Sequence, residues 1–335
     1  MREVAERAGV SITTVSHVIN RTRKVSEELT NRVHAAMEEL DYRPNLLARG
    51  LRKKESKTIG VVLPDISNSF FADIARAIED TSFAHGFSVI LCNTDDDLAK
   101  EIAYSRALSE KQVDGIIFVA AGKSSDQVRK LQEQKLPVVI VDRPIADITA
   151  DTVLTDDING GWLGAKHLIE LGHTRIACIM GPSILEPAAQ RMYGYRKAMQ
   201  EEGLFVEDEW IVRSNFRFDG GRQAAIQLLA LPQPPTAIFA SNDMMAFGAI
   251  SAAKEMGLMI PDDLSIVGFD DILMCAIFNP ALTSINQPKD EIGALATNML
   301  LDRIENPHQP TRREMLDTTL VVRKSTASPT HSRLL

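Results

Sequence analysis

Thr13 and His17 stand four residues apart in the opening run MREVAERAGVSITTVSHVIN, so on a helix they project side by side with Ser16 near them. A hydroxyl and an imidazole offer both donors and acceptors, the chemistry that reads base edges in the major groove of DNA. A second polar group falls at the ends of apolar runs. It comprises Asp65 and Asn68 before Phe70-Phe71, Asp142-Arg143, Ser241-Asn242-Asp243, Asp270-Asp271 and Asn286-Gln287, with Arg191 after the Gly181-Pro182 loop. Each residue alone suits a cap or a turn. Together they set carboxylates, amides and guanidinium groups beside aromatic rings, which suits vicinal hydroxyls and the flat face of a sugar or a purine.

The elements around Thr13 and His17 can be read directly. Val4, Ala5 and Ala8 form an apolar stripe, Gly9 supplies a break, Val10 plugs the corner and Ser11 suits the N-cap of the next helix. Val15, Val18 and Ile19 recur at helical spacing and face inward. A third helix follows Ser26, with Glu27 and Glu28 at its positive end and a stripe of Leu29, Val33, Ala36, Met37 and Leu40. This is the build of a helix-turn-helix DNA reader, although a small helical bundle with no DNA role has the same spacing. Charge separates the two. Residues 1–58 hold 12 Lys+Arg against 8 Asp+Glu, a balance of +4, while the whole chain has 37 against 45 and a net charge of −8. A basic head on an acidic body is the asymmetry of a DNA-binding unit joined to a separately folded domain.

The segment Pro44–Lys57, PNLLARGLRKKESK, reads as a linker. Pro44 fits the first turn of a helix, and Asn45 to Leu51 makes about two turns, too short to hold alone in water. Leu51 beside Arg52, Lys53 and Lys54 reads as an apolar wedge flanked by phosphate-binding cations, a device of minor-groove binders. A flexible basic linker would have the same composition.

From residue 58 to about Ser325 apolar runs alternate with amphipathic stretches. TIGVVL (58–63), FSVILC (87–92), DGIIFV (114–119), PVVIVD (137–142), TRIACIM (174–180), TAIFA (236–240) and LSIVGFD (264–270) read as strands. They are continuous rather than alternating, as parallel strands covered on both faces require. Residues 70–85, 97–112, 158–171, 188–202 and 242–256 read as helices, and Gly86, Gly172, Gly203 and Gly257 stop several of them. The body is therefore a doubly wound α/β structure of two lobes, with ligands expected beyond the carboxyl ends of the strands. The closing residues KSTASPTHSRLL read as a disordered tail.

Other classes find little support. Cys92, Cys178 and Cys275 are far apart and fit reduced, buried thiols in a cytoplasmic protein. The spacing offers no metal site and no cofactor. No run has membrane-spanning length, and the N-terminus reads as a helix-turn-helix rather than a signal peptide. The acid pairs Asp156-Asp157, Asp262-Asp263 and Asp270-Asp271 have no recognisable nucleophile and base, and Gly160-Gly161-x-x-Gly164 lacks a phosphate-loop pattern, so no catalytic residue is expected. A small-molecule carrier without a DNA role is the alternative to a regulator.

The runs VAERAGVSITTVSHVIN and VSEELTNRVHAAMEELDYRPNLLARGLR resemble the head and hinge of the lactose-repressor (LacI/GalR) family of transcriptional regulators. TTVSHVINRTR is particularly similar to the purine-repressor branch. The resemblance implies an all-α helix-turn-helix head (1–43), a hinge helix and linker (44–57), a two-lobed effector-binding and dimerisation core of the periplasmic-binding-protein type I kind (58–325) and a tail (326–335). It places Ile12, Thr13 and His17 at the base-reading positions, with Thr14, Ser16 and Asn20 as further DNA contacts, and Leu51 and Arg52 at the hinge positions that enter the minor groove. Ile12 stands where a polar residue is often found, which exchanges a hydrogen bond for contact with a thymine methyl. In the core it implies effector contacts from Asn68, Phe70, Phe71, Arg143, Arg191, Phe216, Asn242, Asp270 and Gln287. Arg143, Asn242, Asp270 and Gln287 match ribose-binding members, so a sugar such as ribose is expected, with a purine as the alternative. The implied partners are a pseudo-palindromic DNA operator, this small-molecule effector and a second copy of the chain, with no membrane.

Overall fold

A computed structural model of the chain describes residues 1–20, 23–42, 55–119 and 125–329. They fall into two compact units, Met1–Ser56 and Lys57–Leu335. The expectations for Leu51 and Arg52 lie outside the described residues.

In the first unit α1 (Arg2–Ala8), α2 (Ile12–Asn20) and α3 (Glu27–Glu39) enclose Val4, Ala5, Ala8, Val15, Val18, Val33 and Ala36. Gly9 ends α1 in the left-handed region at φ 62°, where a side chain is disfavoured. Arg32 of α3 donates to the Ala8 carbonyl at 2.7 Å and the Gly9 carbonyl at 3.2 Å, satisfying acceptors that the helix end leaves open. Ser11 accepts from the Thr14 N–H at 3.0 Å, the cap expected from sequence, and Ser26 accepts from the Leu29 N–H at 3.4 Å at the expected start of α3. Leu40, placed in the α3 stripe, is 39% exposed instead, because the helix has already ended and Leu40 is its C-cap.

The second unit holds two six-stranded sheets. The first is built from β1 (Thr58–Leu63), β2 (Ser88–Asn93), β3 (Gly115–Phe118), β4 (Val138–Val141), β5 (Asp151–Thr155) and β11 (Arg313–Leu316), in the order β11-β5-β4-β3-β1-β2. The second contains β6 (Ile176–Met180), β7 (Ile211–Arg213), β8 (Ala237–Ala240), β9 (Ser265–Asp270), β10 (Thr283–Asn286) and β12 (Thr319–Val321), in the order β12-β10-β9-β8-β6-β7. Neighbouring strands run parallel except β12, which is antiparallel to β10. In the first lobe α4 (Ser69–Ala84) packs against α12 (Lys289–Glu305), while α5 (Leu98–Glu110) and α6 (Ser125–Glu133) pair with each other. In the second, α7 (Asp157–Glu170) pairs with α8 (Glu186–Glu201), and α9 (Phe218–Leu229) with α10 (Asp243–Glu255). A short α11 (Met274–Ile277) lies between β9 and β10.

The chain crosses between lobes three times, after β5, after β10 and between β11 and β12. Thus α7 follows a first-lobe strand into the second lobe, and α12 follows a second-lobe strand back. The central strands β1, β3, β4, β6, β8 and β9 are buried almost throughout, which is why they read as continuous apolar runs. The expected FSVILC strand is an edge (β2), largely open on one side, with Leu91 41% exposed. Strands β5, β7, β10, β11 and β12 are short or polar and carry no comparable signal.

The tail needs a correction at its start. Ser325 is fully buried, its hydroxyl donating to the Ile266 carbonyl at 2.6 Å and accepting from the Thr283 N–H at 2.8 Å. His173 reaches Thr236 through Nδ1 and the Ala327 carbonyl through Nε2, each at 2.9 Å, and His167 meets Thr326 at 2.9 Å. Lys324–Ala327 is therefore a strap along the second sheet, ordered by backbone acceptors that composition does not reveal. Burial lowers the pKa of both histidines. A lowered imidazole pKa contributes stability that is present above the unfolded value of about 6.5 and lost as pH falls through the folded value. Wild type is therefore expected to lose stability relative to His173→Gln as the pH drops from about 6.5 toward the folded value. Parallel denaturation curves for the two proteins from pH 8 to 5 check this, and a constant gap between them contradicts it.

Candidate functional site

The cleft lies between the lobes and includes about 510 Å³ of non-atom space, part of it open to solvent. Its first-lobe wall begins where β1 ends. Asp65 accepts from the Ser67 N–H at 2.9 Å and hydroxyl at 2.6 Å, which shapes the turn into α4. Asn68 caps that helix by accepting from the Phe70 N–H at 3.1 Å, and Phe70 and Phe71 meet edge to face at 5.0 Å. The Arg143 guanidinium lies 5.6 Å from the Phe71 ring, donates to Asp96 at 2.6 Å and stands 3.6 Å from Asp142. Asp96 and Asp142 both hold left-handed backbone, at φ 55° and 65°. Asp tolerates that conformation better than most residues.

The second-lobe wall centres on Arg191, 4% exposed. It donates to Asp157 at 2.6 Å and to the Ser241 carbonyl at 2.8 Å, lies 3.5 Å from Asp270 and stacks 3.8 Å from the Phe269 ring. Three glycines of α7 allow this approach. A Cβ on Gly161 would sit 2.1 Å from the Arg191 carbonyl oxygen, on Gly160 2.6 Å from the Phe269 ring and on Gly164 2.7 Å from Phe239. The Gly160-Gly161-x-x-Gly164 pattern is thus a helix-packing surface. Gly161→Ala is expected to push α7 from α8, lowering stability by roughly 1–3 kcal/mol and displacing Arg191 from the cleft. Urea denaturation and ligand calorimetry measure the two effects, and a wild-type midpoint would contradict the packing argument.

Phe216, at φ 62°, lies over Gly181, where a Cβ would fall 2.2 Å from the ring. Asn242 caps α10 by accepting from the Met245 N–H at 2.9 Å and donates to the Phe216 carbonyl at 2.9 Å. Asp270 ends β9 at φ 107°, a strained value for a residue with a side chain. Lys289 holds that backbone, donating to the Asp270 carbonyl at 2.6 Å and the Asp271 carbonyl at 2.9 Å. At the crossover Gln287 donates to Asp270 at 2.8 Å and accepts from Thr155 at 2.6 Å, linking the lobes.

Burial pushes the carboxyl groups up: Asp142 is raised, Asp157 reaches about 6 and Asp270 lies well above the usual range, with Arg191 opposing the shift in each case. For Arg191 burial pulls downward, but Asp157, Asp270 and Asp142 together hold its pKa raised.

The structure brings Asn68, Phe70, Phe71, Arg143, Arg191, Phe216, Asn242 and Asp270 onto the cleft wall. Gln287 is fully buried behind Asp270 rather than on the wall. Asp65 and Asp142, part of the strand-end pattern, also line the cleft, as do Asp96, Pro187, Asn215 and Arg217, which sequence reasoning did not reach. Asp96 sits in the acidic run Asp95–Asp97, whose composition reads only as a turn.

In the head, Ile12 is 47% exposed and Thr13 is exposed. Ser16 and His17 are half-buried. Thr14 instead completes the cap, its hydroxyl 2.9 Å from that of Ser11. The Asn20 amide turns back onto its own helix, donating to the Ser16 carbonyl at 2.9 Å and hydroxyl at 3.2 Å. Among the described residues there is no group of His, Cys, Asp and Glu that could hold a metal, and no helix long and apolar enough to cross a membrane.

A helix-turn-helix unit, followed in the chain by two parallel-sheet lobes around a polar cleft, defines a ligand-responsive DNA-binding regulator. Residues 1–45 match the model for bacterial regulatory proteins of the lacI family, and residues 165–326 match the periplasmic binding protein-like domain. The chain belongs to the lacI family. It is 40% identical over 331 residues to the HTH-type transcriptional repressor PurR of Proteus mirabilis, an alignment covering 98% of this chain and 96% of that one. The lac repressor dimer bound to operator and the anti-inducer ONPF superposes with a TM-score of 0.87 at 30% identity, covering 97% of this chain and 98% of that one. A LacI family transcriptional regulator from Enterococcus faecium with bound ribose gives 0.74 at 35% identity, covering 82% and 100%. At the level of the family the protein is a DNA-binding transcriptional repressor with an effector-binding core, and not an enzyme.

Proposed function

We propose that the protein acts in the cytoplasm as a homodimer that places two heads on a pseudo-palindromic operator, and that its effector is a sugar, ribose or another pentose. The cleft carries the effector reading. Arg143 with Asp96 and Asp142 on one wall, and Arg191 with Asp270 on the other, face each other beside the Phe71 and Phe216 rings. Paired guanidinium and carboxylate groups donate to and accept from vicinal hydroxyls, while aromatic faces cover sugar C–H groups. The ribose-bound relative at 35% identity supports the same choice. A bound sugar would bias the angle between lobes at the three crossovers and so select the operator-competent state. The dimer follows from matching two-fold protein to two-fold DNA, and the superposable lac repressor dimer supports it.

A purine base is the second reading, favoured by the 40% identity to a PurR repressor. Thermal-shift measurements with pentoses, hexoses and purine bases, on wild type and Asp270→Asn, separate the two. The expected result is stabilisation by ribose that is lost in the variant. Stabilisation by hypoxanthine or guanine with none by any sugar overturns the sugar reading.

A further inference from the structure

Every arginine on the cleft wall, among the described residues, is already paired with a carboxylate. Arg143 holds Asp96 at 2.6 Å with Asp142 at 3.6 Å, Arg191 holds Asp157 at 2.6 Å with Asp270 at 3.5 Å, and Arg217 lies 3.5 Å from Asp65. The nearby Lys289 ammonium is directed to the carbonyl oxygens of Asp270, Asp271 and Gln287. A phosphate group commonly takes two other partners, an open helix N-terminus or an unpaired cation. Two of the helix ends at this cleft are already capped: Asn68 and Asn242 occupy the Phe70 and Met245 N–H groups of α4 and α10, and the first turn of α8 carries Pro187, which has no N–H to give. The start of α9 has no side-chain cap, but Arg217 at its N-cap faces Asp65, so a carboxylate already stands there.

We infer that this cleft takes an uncharged ligand and rejects the phosphorylated form of the same molecule. The inference rests on the cleft being the effector site, and it deepens that reading. A phosphoryl group would enter a wall whose cations are engaged and whose carboxylates repel it. The hydroxyls of a neutral polyol instead bridge existing ion pairs, accepting from the guanidinium and donating to the carboxylate, without separating them. A phosphoryl transfer from a nucleoside triphosphate to a ligand hydroxyl would therefore convert a ligand that this cleft accepts into one that it rejects.

Isothermal titration of the full chain compares ribose with ribose 5-phosphate, and inosine with inosine 5′-monophosphate, each pair differing only by the phosphate. Within whichever pair binds, the uncharged member is expected to bind at least about a hundredfold more tightly, the effect of juxtaposed like charges. Asp96→Asn removes the shorter of the two carboxylate contacts of the Arg143 guanidinium, leaves Asp142 at 3.6 Å and keeps a side chain that accepts the φ of 55°. This variant is expected to narrow the discrimination about tenfold, the weight of one charged hydrogen bond. Equal binding of the phosphorylated form by wild type overturns the inference, as does unchanged discrimination in Asp96→Asn. Binding confined to the purine pair overturns the sugar reading alone, because nucleoside against nucleotide still decides the question of charge. No binding in either pair overturns both.

Discussion

Arg191→Met is expected to be the most damaging single change in the core, lowering stability by roughly 3–5 kcal/mol and abolishing effector binding. Among the described residues, the Arg191 side chain is the one cation facing Asp157, Asp270 and Asp142 together, and it also holds the Ser241 carbonyl at the foot of α10. Met fills the volume over Phe269 but leaves Asp157 buried without its ion-pair partner and Asp270 without its guanidinium, while Asp142 keeps Arg143 at 3.6 Å. The pH dependence identifies the cause. Their pKa values, already raised by burial with Asp157 near 6, rise further once the guanidinium is gone. A carboxyl with a raised folded pKa contributes stability that is present below its unfolded value of about 4 and lost as pH climbs through the folded value. The deficit of the variant should therefore be largest at pH 7–8 and shrink toward pH 5. Chemical denaturation at several pH values measures it. A deficit independent of pH would mean that Arg191 acts through packing alone.

The second large effect is expected in the head. Thr13→Ala with His17→Ala should remove operator selectivity, since each base-edge contact contributes on the order of 1–3 kcal/mol of discrimination. Val15 and Val18, which hold α2 in the head, point the other way and stay buried, so the fold is retained. The Arg and Lys side chains expected to bind phosphates are untouched, so weak, strongly salt-dependent binding to any duplex should remain. Effector titration of the core should be unchanged. Fluorescence anisotropy with operator and scrambled duplexes at two salt concentrations checks this. Equal losses on both duplexes would show that these side chains serve general affinity rather than readout. Thr14 and Asn20 are expected to matter less, because one completes the Ser11 cap and the other bonds back to Ser16.

The contrast between these two sites follows from how far apart their parts lie in the chain. The head reads almost completely from sequence because its devices are local: a left-handed Gly9, the Ser11 and Ser26 caps and helical spacing of Val15 and Val18 all act within one or two turns. The Arg32 bonds to Ala8 and Gly9, spanning 24 and 23 residues, are the part that spacing does not predict. Central strands were legible for a related reason, since a strand covered on both faces must be apolar throughout. Edge strands such as β7 and β11 have no such requirement and leave no pattern.

Residue pattern alone thus establishes the class of each segment: a helix-turn-helix head, alternating strands and helices, and polar residues gathered at strand ends. Which of those polar residues act as caps and which bind charge emerges from the packing of the lobes. Asn68 and Asn242 cap helices while lining the cleft, Gln287 lies buried as a link to Thr155, and Asp96, invisible in its acidic run, becomes the partner of Arg143. The physical reason is that capping is satisfied within a few residues of the same chain segment, whereas an ion pair depends on distance in space. Asp96 and Arg143 are 47 residues apart and Thr155 and Gln287 are 132 apart, and only the crossings between lobes bring the latter pair within hydrogen-bond reach.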